Sequence, residues 1–552
     1  IGKRFLRDEL LNPIVNSKKL EQRYDKISLL MTRYYSEDQD NISGVDGASF
    51  SSNFYNDDGS PGALRPIYKD VEVYLNKIND LERIHRKMTL GLIHPADILG
   101  LVSSYNNIVK LLTFLQSLES KLNNMNGNLS VNNISSANIN IKETIQSLGI
   151  DSKKQEQFIE LIESVNEAFN LEECVKYHQD KITGNIFNPG VYPEIDDICA
   201  KIKSGFNTFD ALSTYLGQHA GYPQSITNKI NLKLEHNERD GYYLSTTQKR
   251  GSIIKKSIQS IKKIELNVGD NKITISNDFE FKNPTKSTTK IVSPYLKQIS
   301  NMIVATTEKL KAVARSRFLG KVDSFCKKYD EVMKTIAKFV GDLDVIKSAS
   351  KTAIKYGYVR PKIIEKYNKK ENSKSNEQSS NIEGDLDSFI YAKHIRHPII
   401  ERLENSHEYV ANDLVIGLNT ENLNEFLEIN DLSSDILHCE YYNNTKGMLL
   451  FGTNASGKSS LMKAVGLNII MAQCGQFVPC REMAFKPYNK LFTRINNNDN
   501  IFKGESSFAV EMSELRSILK RADKNILVLG DELCAGTESI SALSIFSSSV
   551  VK

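Results

Sequence analysis

No run of about 18 consecutive apolar residues occurs in the 552-residue sequence, so none of it reads as a membrane-spanning helix. Its opening, Ile1-Gly2-Lys3-Arg4, shows no signal or transit peptide, and an initiator methionine is missing as well. The seven cysteines (Cys174, Cys199, Cys326, Cys439, Cys474, Cys480 and Cys534) are odd in number and scattered. With no Cys-x-x-Cys and no Cys/His spacing suited to zinc, they argue for free thiols in a reducing, intracellular compartment. A charge excess is lacking too. The formal net charge of +4 is close to neutral for this length, so bulk charge does not mark a polyanionic partner. Its distribution is more informative: between positions 241 and 300 eleven Lys or Arg stand against four Asp or Glu, and the remainder of the chain is net acidic.

With 40% hydrophobic and 25% charged residues the chain can build real cores, and its length calls for three or four domains. From Gly2 to about Gln224 apolar residues recur at three and four residue spacing, as in Leu6, Leu10, Leu11 and Ile27, Leu30, Met31, which predicts amphipathic helices. Two polar stretches, from Ser36 to Gly62 and from Asn123 to Asn140, read as surface loops. The period changes to two at Ile264-Glu265-Leu266-Asn267-Val268 and Ile273-Thr274-Ile275, which predicts a β-hairpin turning at Gly269-Asp270-Asn271, and Phe279-Glu280-Phe281 continues the alternation. Helical spacing returns from about Pro294 to Tyr358 (Ile299, Met302, Ile303, Leu310, Val313) and should stop before Pro361. The polar run Asn368 to Asp385 reads as a linker.

The strongest chemical signal is Gly452-Thr453-Asn454-Ala455-Ser456-Gly457-Lys458-Ser459, an intact match to the phosphate-binding pattern G-x-x-x-x-G-K-[ST]. Met448-Leu449-Leu450-Phe451 before it suits a buried parallel strand, and Leu461 to Gln473 after it suits a helix, the order this motif requires. Glycines let backbone N–H groups close around phosphate oxygens at a helix N-terminus; Lys458 supplies charge to the β- and γ-phosphates and Ser459 a hydroxyl to Mg²⁺, with Ser460 beside it. A second apolar run, Ile526 to Leu529, leads through Gly530 into Asp531-Glu532. Carboxylates at the C-terminal end of a buried strand fit a nucleotide site, Asp531 reaching Mg²⁺ through water and Glu532 taking the proton of an attacking water.

Several further segments, in order, make the chain resemble the MutS mismatch-repair ATPases: Gly475-Gln476-Phe477-Val478-Pro479, Leu491-Phe492-Thr493-Arg494-Ile495, Gly504-Glu505-Ser506-Ser507-Phe508, and Leu529-Gly530-Asp531-Glu532-Leu533 with Gly536-Thr537. Upstream, Arg396-His397-Pro398 and Tyr409-Val410-Ala411-Asn412-Asp413 resemble the family's strand leading into the nucleotide site. Gly2-Lys3-Arg4-Phe5-Leu6-Arg7 with Leu11-Asn12-Pro13 is similar to its first core helix, and Gly241-Tyr242-Tyr243-Leu244 to the start of its DNA clamp. Cys534-Ala535 in place of Gly-Arg, and Glu538-Ser539 in place of Ser-Thr, resemble a divergent branch found in giant viruses and coral mitochondria.

This resemblance implies a multidomain fold: a helical core and lever (1–224), a β-rich basic DNA clamp (225–300), returning lever helices and linker (301–390), and an α/β P-loop ATPase domain (391–552) of which more should follow. It implies ATP and Mg²⁺ as cofactors, Tyr409 as the aromatic that stacks on adenine, and a homodimer or heterodimer in which Ser506 reaches the partner's nucleotide. The partner molecule is duplex DNA, mismatched above all, contacted by Lys255, Lys256, Lys262 and Lys263 in the clamp; no membrane is implied. The mismatch-reading domain with its Phe-x-Glu wedge should precede Ile1, and the downstream His motif and dimerisation helices should follow Lys552, so the sequence reads as part of a longer protein. The Phe158-Ile159-Glu160 match to the wedge lies in a helical pattern and reads as core packing, as His397 reads as a packed, hydrogen-bonded residue. Relatives acting in recombination or ribosome rescue, and structural SMC-type ATPases, are the alternatives. In the SMC type hundreds of residues part the two nucleotide motifs, against the 73 that separate Lys458 from Asp531 here.

Overall fold

The computed structural model describes residues 2–34, 65–125, 141–219, 232–237, 239, 241–268, 271–283, 287–369, 382–403, 409–419, 423–433, 445–453, 456–495, 507–531, 533 and 538–551. The expected loop at 36–62 lies outside these residues, as does that at 123–140 beyond its first three positions, which end a helix.

Up to Gln218 the described chain is almost entirely helical, as the spacing predicts: α1 (Gly2–Leu11), α2 (Ser17–Met31), α3 (Ile67–Leu75), α4 (Leu81–Thr89), α5 (Pro95–Met125), α6 (Ile141–Leu148), α7 (Ser152–Ala168), α8 (Leu171–Cys174) and α9 (Pro193–Gln218). A two-residue ladder of β1 (Arg33–Tyr34) and β2 (Arg65–Pro66) and an isolated bridge between Phe169 and Phe187 interrupt it. Helix starts follow capping chemistry. Asn16 accepts from Lys19 N–H at 3.0 Å and Asp80 from Arg83 N–H at 3.2 Å, while Pro193 opens α9 where its missing N–H costs nothing. Over Pro95–Leu122, α5 is long and apolar enough to cross a membrane, but 56% of its most apolar stretch is buried inside the protein, as in a core helix.

A β-rich segment follows: β3 (Lys233–Asn237), β4 (Gly241–Thr247), α10 (Gln248–Ile258), β5 (Lys263–Val268), β6 (Asn271–Ser276), β7 (Glu280–Lys282) and β8 (Thr288–Val292). The strands form a sheet of order β3-β4-β8-β7 and a separate β5-β6 hairpin. That hairpin has the expected register, Val268 opposite Asn271, and its Gly269-Asp270 turn lies outside the described residues. Helix α10 was not anticipated by the sequence reading, which took 225–300 as β-rich and located strands only from Ile264 onward. Helix α11 (Pro294–Tyr356) then runs 63 residues, interrupted at Tyr329 (φ −117°, ψ 18°), and stops ahead of Pro361 as expected. Its buried stripe passes through Ile299, Ile303 and Leu310, whereas Met302, expected on that stripe, is exposed.

The remaining elements are β9 (Lys362–Ile363), β10 (Lys366–Lys369), β11 (Ile382–Asp385), β12 (Ile390–Ile395), β13 (Asn412–Ile416), α12 (Leu423–Ile429), α13 (Lys458–Gln473), β14 (Glu482–Phe485), β15 (Lys490–Arg494), α14 (Ser507–Arg521), β16 (Ile526–Gly530) and α15 (Ser539–Val551). β10 and β11 pair antiparallel, so the ends of the expected linker are strands rather than free chain.

The described chain divides into two compact units that interleave along the sequence: residues 1–76, 110–150 and 338–552 in one, 77–109 and 151–337 in the other. In the first unit a sheet of order β13-β12-β14-β9 separates two cores. Strand β12 and the residue before it supply both by alternation: Ile390 and Ala392 join Leu20, Tyr24 and Ile27 of α2 and Val465 and Ile469 of α13 on one face, while Phe389 and Tyr391 meet Phe426 and Leu427 of α12 on the other. In the second unit Phe209 and Leu212 of α9, Ile254 and Ile258 of α10, Ile264 and Leu266 of β5, and Leu296 and Ile303 of α11 share one core. Each such side chain contributes about 1.5–3 kcal/mol by leaving water. Phe158 belongs to this unit's interior, fully buried with its ring 5.0 Å from that of Tyr105, as the core-packing reading holds.

Candidate functional site

Helix α13 begins at Lys458, directly after Gly457, whose φ of 94° lies in the left-handed region that a side chain disfavours. This turn aims the first amides of α13, which have no partner within the helix, out of its N-terminus, a place suited to an anion. Lys458 Nζ lies back across the loop and donates to the carbonyls of Gly452 (2.7 Å) and Thr453 (2.8 Å). Ser459 and Ser460 follow in the first turn, half-buried, and Ser456 is exposed before it. Asn454 and Ala455 lie outside the described residues, as do Glu532 and Ser506.

The expected strand Met448–Phe451 is not a strand. Leu449 is 70% and Phe451 92% exposed. A buried parallel strand needs a neighbour to hydrogen-bond its edges, and among the described residues β15 and β16 pair only with each other. Strand β16 forms as expected and is parallel to β15, with Arg494 opposite Gly530. It is half-covered rather than fully buried, since Val528 is 45% exposed. Asp531 ends it, with its N–H donated to Arg494 O at 2.8 Å, and Arg494 Nε in turn reaches Glu514 of α14 at 3.0 Å.

Three residues that the sequence reading passed over hold α13 in place. Gly466 faces Leu529 of β16 so closely that an added Cβ would stand 2.6 Å from Leu529 Cδ1. Asn468, fully buried, donates to Arg396 O at 3.1 Å and accepts from Cys480 Sγ at 3.3 Å. Gln473 donates to Tyr488 O at 2.9 Å and accepts from Tyr488 N–H at 3.0 Å. A glycine and two amides inside an otherwise apolar helical pattern were the available signal.

Tyr409 precedes β13, half-buried, its ring 6.5 Å from that of His397 and its phenol pushed up by burial. His397 is buried and Nδ1 accepts from the N–H groups of Ile399 and Ile400, both at 3.2 Å. Burial also lowers its pKa, and the burial and these two bonds fit the expected packed, hydrogen-bonded role.

In the other unit the four lysines expected to contact DNA come from two elements. Lys255 and Lys256 occupy the last turn of α10, where cations complement the helix dipole; Lys262 precedes β5 and Lys263 begins it. Asn277 joins the two places: its amide donates to Ile258 O (2.6 Å) and Ile261 O (2.7 Å), and its N–H to Lys262 O (3.3 Å). All four lysines are exposed, and among the described residues none is paired with a carboxylate. The outward hairpin face carries Lys263, Glu265 and Asn267 opposite Ser276, Thr274 and Lys272, a polar and weakly basic surface.

A family model described as MutS domain III matches residues 1–350, and one described as MutS domain V matches residues 448–552. The chain is 30% identical to a putative DNA mismatch repair protein mutS homolog of Acanthamoeba polyphaga mimivirus, across 100% of this chain and 44% of that protein. Identity is 26% to the mitochondrial DNA mismatch repair protein mutS homolog of Sarcophyton glaucum, across 65% of this chain and 32% of that one. To the DNA mismatch repair protein MutS of Lactococcus lactis subsp. cremoris it is 23%, across 99% and 49%. The chain thus spans half or less of the length of these relatives.

Proposed function

Because this chain belongs to the MutS family of DNA mismatch repair proteins, we propose that it carries the nucleotide-binding and DNA-holding parts of an ATP-dependent clamp that acts on mismatched duplex DNA. The observation that supports this most is that Gly457-Lys458-Ser459, the end of a complete Gly-x-x-x-x-Gly-Lys-Ser motif in the sequence, form the N-terminus of helix α13. Phosphate oxygens accept from the first amides of α13, and the Lys458 ammonium moves from the loop carbonyls to the β- and γ-phosphates. Ser459 Oγ and the Asp531 carboxylate are hard oxygen donors, the set that suits Mg²⁺, and would hold it; bound there, the ion offsets phosphate charge. Glu532 takes the proton of the attacking water, Tyr409 stacks on the adenine, and Ser506 completes the site of a second copy or a MutS-like partner. In the other unit Lys255, Lys256, Lys262 and Lys263 neutralise backbone phosphates and so hold duplex DNA without reading its sequence.

Fluorescent-nucleotide titration tests the nucleotide reading. Lys458→Ala removes the side-chain cation of the phosphate cradle and should abolish ATP binding; unchanged affinity would overturn the assignment.

A further inference from the structure

An α-helix ends with carbonyls that have no partner inside it. At the end of α13 three consecutive ones, those of Ala472, Gln473 and Cys474, all find donors in the N-terminal region of the same unit. Ala472 O, which also takes the N–H of Gly475 at 2.8 Å, accepts from Tyr24 Oη at 2.7 Å, Gln473 O from Ile14 N–H at 2.6 Å, and Cys474 O from Arg23 Nη1 at 2.9 Å. The Arg23 guanidinium also pairs with Glu9 of α1 at 2.6 Å, which fixes its aim. The Gln473 side chain returns one bond, donating to Ile14 O at 3.3 Å.

A second observation is independent of these bonds. Gly475, next in the chain, has a φ of 72°, and a Cβ there would stand 2.8 Å from Arg23 Cβ. The Arg23 stem therefore lies where any other residue's side chain would be.

We infer that Arg23, Tyr24 and the Ile14 amide are a positioning joint that sets the orientation of the phosphate-loop helix, so that nucleotide affinity depends on residues more than four hundred positions away in sequence. The inference rests on the nucleotide reading of α13. With 16 residues the helix is about 24 Å long, and a tilt of about 5° at its C-terminal end moves Lys458 and Ser459 by about 2 Å. Hydrogen bonds to phosphate fail over such a shift. Arg23 and Tyr24 touch no phosphate; they act through the rigid helix, and Glu9 and Gln473 act through them.

The test compares ATP affinity with thermal melting on the whole protein. The double variant Arg23→Met, Tyr24→Phe keeps both hydrophobic bodies and deletes the donors, together with the Arg23–Glu9 ion pair. It should weaken ATP binding roughly fivefold or more, at a temperature where circular dichroism reports it folded. Arg23→Lys, which leaves a cation at the helix C-terminus, should stay within about twofold of the parent. Ser350→Ala serves as the scaffold control: the buried Ser350 Oγ is within hydrogen-bond reach of Ile346 O in its own helix (2.9 Å) and of Ile27 O of α2 (3.2 Å) and bonds nothing in α13, so its loss should lower the melting temperature and leave affinity unchanged. A double variant that melts earlier yet binds ATP like the parent would overturn the joint and leave the nucleotide site standing. A parent that binds no ATP would overturn both.

Discussion

Two groups compete for the ammonium of Lys458, the loop carbonyls of Gly452 and Thr453 that it touches and the phosphates it is proposed to meet. Its neighbour in function, Glu532, should matter differently. Glu532→Gln keeps the shape and loses the base, so steady-state turnover of the full-length protein should fall by roughly a hundredfold or more while nucleotide stays bound. Undiminished turnover would assign the proton to another group. A second residue-scale expectation concerns stability. His85 Nε2 lies 2.7 Å from Tyr105 Oη, and burial lowers its pKa from 6.5 to about 4. The unfolded chain therefore binds a proton below pH 6.5 that the folded one refuses until about pH 4, so stability falls with pH across that window, by up to about 3 kcal/mol. Denaturant titrations at pH 7 and pH 5 should show a smaller loss for His85→Gln than for the parent; equal losses would contradict this. The phosphate-loop residues were legible in sequence because backbone geometry dictates their spacing. Arg23 and Tyr24 were not, since their partners lie at 472–474 and no local pattern announces a pairing over that separation.

Helix α13 and strand β16 were both anticipated from short apolar runs with the right flanks, and the 263–276 hairpin from its period of two. Such signals are local, so one chain segment suffices to show them. The α10 helix escaped because Ile254 and Ile258 give only one helical repeat between strands, and the sequence around them matches strand and helix alike. Met448–Phe451 failed in the opposite sense: apolar content announces a buried strand, but pairing decides whether one forms. Elements also carry the DNA argument. Changing Lys255, Lys256, Lys262 and Lys263 together to Glu turns a patch held together by Asn277 from basic to acidic. Duplex affinity should fall and the salt slope flatten by up to about 0.9 for each phosphate that is no longer neutralised. A quadruple variant with the parent's affinity and slope would remove this surface from DNA binding. At α13, Gly466→Val sets branched carbons against Leu529, and the helix must shift off β16; stability should drop by an amount typical of overpacking, about 1–3 kcal/mol, and the melting temperature with it. An unchanged melting temperature would mean that Leu529 has room to turn away.

For the molecule as a whole, helical character, the β-rich insertion and the long α11 were readable from periodicity. Two units that interleave along the chain were not, because the 110–150 and 338–552 segments join the N-terminal helices through tertiary packing that periodicity does not encode. The free thiols fit the reading from cysteine spacing: Cys174, Cys199, Cys326, Cys474 and Cys480 are unpaired with one another, and burial pushes Cys174 and Cys474 up to about 12. The proposed function makes one central claim, that nucleotide and duplex DNA influence each other's binding. The most direct measurement is a titration of the full-length protein with mismatched duplex DNA, with and without ATP and Mg²⁺. The DNA dissociation constant should change roughly fivefold or more on adding nucleotide and should not change in Lys458→Ala. If the parent's affinity were the same in both conditions while ATP was bound, nucleotide and DNA would be independent ligands and the account would be contradicted.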